Sequence, residues 1–456
     1  MDLKLVYSFE DTREMLGSSK VDDYIYEYLK QLGATTAVVE ENHLDEEYLH
    51  DYLNYHGFSF NQYSKYTKRI HFFLAKFSNE EFMKVILEGD SYLLETIKNS
   101  YCGFVVIKPV KDSNGNFIIG KTCLKNLRRT EEKHYINEEI PVSFFGIFLS
   151  VSSLPFQTSD PGVSSCAAVT CWTALYPFRE RLGIPNMPLY EITEKAQKHQ
   201  LLLDRNFPAT GLSLSQIKGY INSLGLETEF IHFEGMGNDL NSDIIQSILK
   251  TYNNIGIPII VAGKIEDTNS DNIYYHMFVI SGYKQKNGII SELYVHDDQI
   301  GPYARIVPSD DFSDLGIGSY YGSGMKFTIS SLLIPIFKEI RLNLQRIFHY
   351  YYDVKRKLLD HQKEQLNVEL LLFKDNQYKL LLHYLDFDEK AGIICRPLPP
   401  FVSIIRISNA KNFPIVDIIF DATSLNLNPI SHIVFNYEFN PKNSKLIQTL
   451  ENILHF

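Results

Sequence analysis

Three residue types in this chain, a cysteine, a histidine and a carboxylate, occur in an order that suits nucleophilic acyl transfer. Cys166 stands where SSCAAVTCWTALYPFRERLG at 164–183 turns from a loop into a helical pattern, with Ser164 or Ser165 placed to cap it. A thiol at a helix N-terminus feels the partial positive charge of the unpaired N–H groups, which stabilises the thiolate. His276 opens the apolar run HMFVISGY, and Asp297 ends the next run, LYVHD. Two neighbouring strands would set that carboxylate beside the imidazole and fix its tautomer and orientation. Attack on a carbonyl also needs donors for the developing oxyanion. The N–H of Cys166 is one, and the side-chain amide of Gln157, in the loop PFQTSDPGVSS, is a second. Asp298 follows Asp297 directly, so either carboxylate can serve as the third member. Cys171 is a second thiol on the same helix, but it falls more than a turn inside, where the end of the helix polarises it less. His276, His296, Asp297 and Asp298 together have the chemistry of metal ligands. Positions 296 and 297 of one strand face opposite ways, however, so the reading assigns no metal. Taken singly, each residue has a plain structural role, as a small apolar filler, a satisfied core histidine or a turn residue. Order and placement are what group them.

The elements that must hold these residues fall into three regions, 1–151, 152–330 and 331–456. The first 100 residues read as mostly helical: VDDYIYEYLKQLG at 21–33 and NEEFMKVILEGDSYLLETIKNS at 79–100 space apolar residues three and four apart, and Gly33 is placed to end the first helix. From 101 the period changes. YCGFVVIKPV, the turn DSNGN and FIIGKT predict a hairpin, and a further strand pair is expected around 134–151. In the middle region, helices are expected at 213–225 and over SDIIQSILKTYNN, a strand over LETEFIHF, and strands over IPIIVAGKI, HMFVISGYK and ISELYVHDD. The last region is expected to open with a long helix over 332–366. Strands over QYKLLLHYL, FVSIIRIS, PIVDIIFDA and HIVFNYEF should follow, with a turn at Asp421 and a closing helix at 442–454. The fold class is therefore α+β, a helix bearing the cysteine packed on an antiparallel sheet, with α+β flanking regions.

On those same segments the chain resembles the papain-like cysteine peptidases, and most nearly their branch of bacterial double-glycine leader peptidases and phytochelatin synthases. FQTSDPGVSSCAAVTCWTAL is similar to that branch's glutamine, loop and cysteine helix. HMFVISGY resembles its histidine strand, and YVHDDQIGPY the strand that follows. LDRNFPATGLSLSQIKGYINSLGLETEF resembles the connecting segment of bacterial papain-like proteins. The resemblance covers about residues 152–310. It implies Cys166 as nucleophile, His276 as general base and acid, Asp297 as the orienting group and Gln157 as the oxyanion donor. The chain departs from the pattern in three places: Ala167 replaces the glycine that usually follows the nucleophile, Gln157 lies nine residues before Cys166, and Asp298 replaces a proline.

Bulk properties bound the function. The 456 residues exceed the usual size of a single core. A net charge of −11 supplies no general basic surface for nucleic acid or anionic membrane, so neither partner is expected. The start, MDLKLVYSFEDTREM, has no basic stretch followed by an apolar one, so no secretory signal is expected. Apolar runs such as IPIIVAG fall far short of the ~20 residues of a membrane helix. Five scattered cysteines without a CxxC pair suggest reduced thiols, hence a cytoplasmic location and no zinc or other cofactor. The expected function is peptide or amide hydrolysis through a thioester. An acyl transferase on the same triad, or an inactive papain-like binding or scaffold protein, are the alternatives. The expected partners are a peptide or protein substrate and a protein held by the flanking regions.

Overall fold

An antiparallel sheet flanked by helices recurs along the chain in a computed structural model. It describes residues 4–127, 132–185, 187–199, 211–233, 242–270, 272–286, 288–342, 344–361, 366–388, 390–409 and 411–435. Every strand pair among them is antiparallel, so the protein is a mixed α+β protein. The strands Val6–Ser8, Thr36–His43, Thr67–Phe73, Tyr101–Lys111 and Phe117–Leu124 pair in chain order as a five-stranded sheet. Helix Lys20–Leu32 begins with a capping box at Ser19 and Asp22 and ends on Gly33 in the left-handed conformation. The helical stretch expected at 79–100 is two helices, because Gly89 turns left-handed and Asp90 caps the second. Three strands before residue 100 had no signal in the pattern. Thr67–Phe73 is buried nearly throughout, so it lacks the alternation that marks a half-buried strand. The hairpin at 101–124 forms as expected, its turn held by Asp112 Oδ1 accepting from the N–H groups of Asn114 and Asn116. A second hairpin, Glu138–Phe144 with Ile147–Ser153, leads into the loop at 154–165.

The second sheet carries the expected strands. Its order is Gly301–Ile306, Ile289–Asp297, Ile273–Lys286, Ile259–Asp267, Met325–Phe337, Leu226–His232, with Lys133–Tyr135 paired to the far end of Ile273–Lys286. Helix Cys166–Leu175 packs against strand Ile273–Lys286, and every residue from Ala167 to Leu175 is buried. A helix apolar on all sides must be an interior one. Helices Leu214–Ser223 and Ser242–Asn254 also lie where expected.

The last region departs most from expectation. Residues 325–337 form a strand in place of the first part of the helix expected over 332–366; the helix is confined to Leu344–His361. SSLLIPIF is a continuous apolar run between two partner strands, and Pro335 would have broken a helix there. QYKLLLHYL, expected as a strand, lies largely in helix Asp375–His383, which buries Tyr378 and Leu382 four residues apart. The strand is the preceding Asn367–Lys374, which joins Phe401–Ser408, Pro414–Asp421 and Pro429–Val434 in a four-stranded sheet. Asp421 ends its strand in a turn, its carboxylate accepting from Thr423. The helix expected at 442–454 lies outside the described residues. One apolar core runs from Ala167 to Ala422, so the division expected at 330 falls inside a strand and inside that core.

Candidate functional site

The loop before Cys166 is built by the five-stranded sheet. Phe156 exchanges backbone hydrogen bonds with Thr122 at 2.9 and 2.7 Å, and Thr158 exchanges them with Ile119 through its N–H and hydroxyl. Asp160 Oδ2 meets His56 Nε2 at 2.9 Å. The loop therefore has a fixed course into the helix. Ser165 occupies the cap position in extended conformation, but its hydroxyl makes no cap bond, and Ser164 Oγ accepts from Asp160 N–H instead. The capping expected of Ser164 or Ser165 is thus absent. Without a cap side chain, the first-turn N–H dipoles of the helix are left to act on Cys166. Cys166 is half-buried, and one turn on, the Thr170 hydroxyl donates to the Met277 carbonyl at 3.1 Å. That bond ties the helix to the histidine strand at the residue next to His276.

His276 is buried and central. Its Nε2 lies 2.8 Å from Asp297 Oδ2, and the ring is also within hydrogen-bonding reach of the Cys166 thiol. Asp298 Oδ1 is 3.9 Å away, beyond hydrogen-bond distance, so Asp297 and not Asp298 meets the imidazole. Asp297 is held on both oxygens: Oδ1 accepts from the Gln299 N–H at 2.8 Å, and Oδ2 also accepts from the Tyr321 hydroxyl at 2.7 Å. Its carbonyl accepts from Ile300 N–H, which closes the turn expected at HDDQIGP. Asp298 turns its carboxyl toward Ser159 in the loop before the helix.

The electrostatics follow from burial and these partners. Burial opposes a charged imidazole, but the Asp297 carboxylate, with smaller contributions from Cys166 and Asp298, outweighs it and holds the His276 pKa well above its ordinary value. Burial and the neighbouring charge of Asp297 raise the Asp298 carboxyl, against the pull of His276. Burial pushes His296 down to about 3, and its ring packs edge-on against Tyr303, so it is neutral and apart from this cluster. Cys171 is fully buried, which drives its thiol upward and removes it from consideration as nucleophile. One atom from each of His276, Asp297 and Asp298 lies within 4.8 Å of the others, a spacing a cation can accept. Asp297 Oδ2 already accepts from His276 and Tyr321, so a cation held there would compete with the pairing to His276.

Gln157 is buried, and its Nε2 has no hydrogen-bond partner among the described residues. A buried amide donor with nothing to donate to is costly unless something arrives to accept from it. Sequence reasoning missed Tyr321, Gln299, Ser159 and the His56–Asp160 pair. Gln299 lies in the turn at HDDQIGP, and Ser159 and Asp160 lie in the same loop as Gln157; Tyr321 and His56 come from distant segments with no pattern to mark them.

Comparison with known proteins adds no family: no family model matches the chain, and no curated protein matches it.

Proposed function

We propose that the protein is a papain-like cysteine hydrolase acting on peptide or amide bonds through a Cys166–His276–Asp297 triad. The observation that carries this reading is His276 itself, one imidazole shared between a helix-terminal thiol and a buried carboxylate. In this mechanism His276, whose charged form the Asp297 carboxylate stabilises, takes the thiol proton first, and the Cys166 sulfur then attacks the carbonyl carbon. Gln157 and the Cys166 N–H receive the oxyanion. His276 returns the proton to the departing amine, and a thioester remains. Water, activated by the same imidazole, then releases the acid. An amine acceptor in place of water would make the enzyme an acyl transferase with identical residues. Five free thiols support a reducing compartment such as the cytoplasm, and no helix among the described residues is long and apolar enough to cross a membrane.

A short iodoacetamide pulse at about pH 6, followed by peptide mapping, tests this, because only an activated thiol reacts quickly there. Cys395 is exposed and serves as the internal reference. Cys166 should label well ahead of it, and His276→Gln should abolish the lead. Equal labelling of the two would reject the hydrolase and favour the inactive binding or scaffold protein.

A further inference from the structure

We propose that Tyr321 is a positioning residue of this site, its hydroxyl clamping the Asp297 oxygen that pairs with His276 while its ring closes over the imidazole. The inference rests on the triad reading above. The hydroxyl donates to Asp297 Oδ2 at 2.7 Å, the atom that also lies 2.8 Å from His276 Nε2. The ring meets the imidazole nearly edge-on, with centroids 5.3 Å apart and planes at 79°. Tyr321 thus holds the second and third members at once, from a segment that contributes nothing else to the triad.

Tyr321 sits on a closely packed segment. It ends the four-residue helix Gly318–Tyr321, which follows the buried Ile317. A side chain at Gly318 would meet the Met325 carbonyl at 2.3 Å, so that glycine lets the helix lie against strand Met325–Phe337. The neighbouring Tyr320 hydroxyl donates instead to the Arg305 carbonyl at 2.7 Å, outside the triad.

The consequence is a division of the carboxylate's charge. Two donors share Oδ2, and Gln299 N–H takes Oδ1. The titratable and polar groups around the imidazole are Cys166, Asp297, Asp298, Tyr321 and the Gln299 amide, whose Nε2 is 3.5 Å from Nδ1. Burial and the adjacent Asp297 charge keep the Tyr321 hydroxyl protonated, so it remains a donor. Removing it leaves more of the Asp297 charge to His276. The imidazolium should then survive to higher pH, with the carboxylate less firmly aimed.

The experiment uses the full chain and follows Cys166 alkylation by iodoacetate from acid to alkaline pH. An anionic reagent is drawn to the imidazolium, so the wild-type rate should fall on the alkaline side as His276 loses its proton. Tyr321→Phe keeps the ring and removes one oxygen; its alkaline limb should move up by about one pH unit, the scale of one hydrogen bond to a charged group. Tyr320→Phe, which removes the neighbouring hydroxyl, should leave the limb in place, and thermal midpoints of both variants report that they fold. A Tyr321→Phe limb that coincides with wild type, or one matched by Tyr320→Phe, would overturn the assignment while the triad stands. A wild-type profile with no limb that His276→Gln removes would overturn the triad reading, and this one with it.

Discussion

Asp160 Oδ2 and His56 Nε2 lie 2.9 Å apart with side chains 1% and 2% exposed, joining the loop before Cys166 to a turn more than a hundred residues earlier. Asp160 also accepts from the Gly162 N–H, and Lys108, itself buried and paired with Asp51 at 3.2 Å, adds its charge nearby. Burial would raise the Asp160 carboxyl, but His56 and Lys108 outweigh it and hold it low. The region before residue 151, which carries no motif of its own, is thus part of the scaffold of the site.

His56→Ala should therefore act at two levels. Leaving Asp160 buried without its partner should cost about 3 kcal/mol in urea unfolding. The Cys166 alkylation rate should fall as the loop loosens. An unchanged midpoint together with an unchanged alkylation rate would show that the pair contributes to neither.

Gln157→Ala separates binding of the oxyanion from activation of the thiol. Turnover of an amide substrate should drop about 100-fold or more, the usual effect of one lost oxyanion donor. Alkylation of Cys166, which develops no oxyanion, should stay within about twofold. Equal losses in both assays would instead mean that Gln157 supports the loop.

Stability should depend on pH through His276. Its folded pKa is raised, so the folded protein holds the proton more tightly than the unfolded chain. This contribution is whole below the unfolded value of about 6.5 and is lost as pH rises through the folded value. The stability difference between wild type and His276→Gln should be largest near pH 6 and shrink on the alkaline side. A difference that grows with pH would contradict the ion pair with Asp297.

Gly282, the glycine of HMFVISGY, lets strand Lys133–Tyr135 pair beside the histidine strand. A Cβ there would sit 2.2 Å from the His134 carbonyl oxygen and 3.1 Å from Tyr135 Cα. Both are backbone atoms that cannot swing aside. Gly282→Ala should cost about 1–3 kcal/mol, the range for overpacking, read as a lowered urea midpoint. Wild-type stability in this variant would show that the pairing is dispensable.

The local pattern was sufficient where one face or one cap decides the structure. Gly33 ends its helix, SDIIQSILKTYNN is a helix throughout, and the runs bearing His276 and Asp297 are adjacent strands. It failed on two runs for different reasons. SSLLIPIF lies between two partner strands, where burial on both sides erases periodicity, whereas QYKLLLHYL buries Tyr378 and Leu382 at the helical spacing of four. Pro335 is the local residue in SSLLIPIF that opposes a helix.

At the site, residue types and order alone placed Cys166 at the start of a helix and His276 and Asp297 on neighbouring strands, because each of those placements is set by nearby residues. The choice between Asp297 and Asp298 was tertiary. The strand ends at Asp297, which points at the imidazole, while Asp298 enters the turn and faces Ser159. The same holds for Cys171, whose exclusion comes from complete burial, and for Tyr321 and His56, which chain-distant elements deliver. Contacts between segments far apart in sequence leave no local period to read, since they depend on how sheets and helices pack.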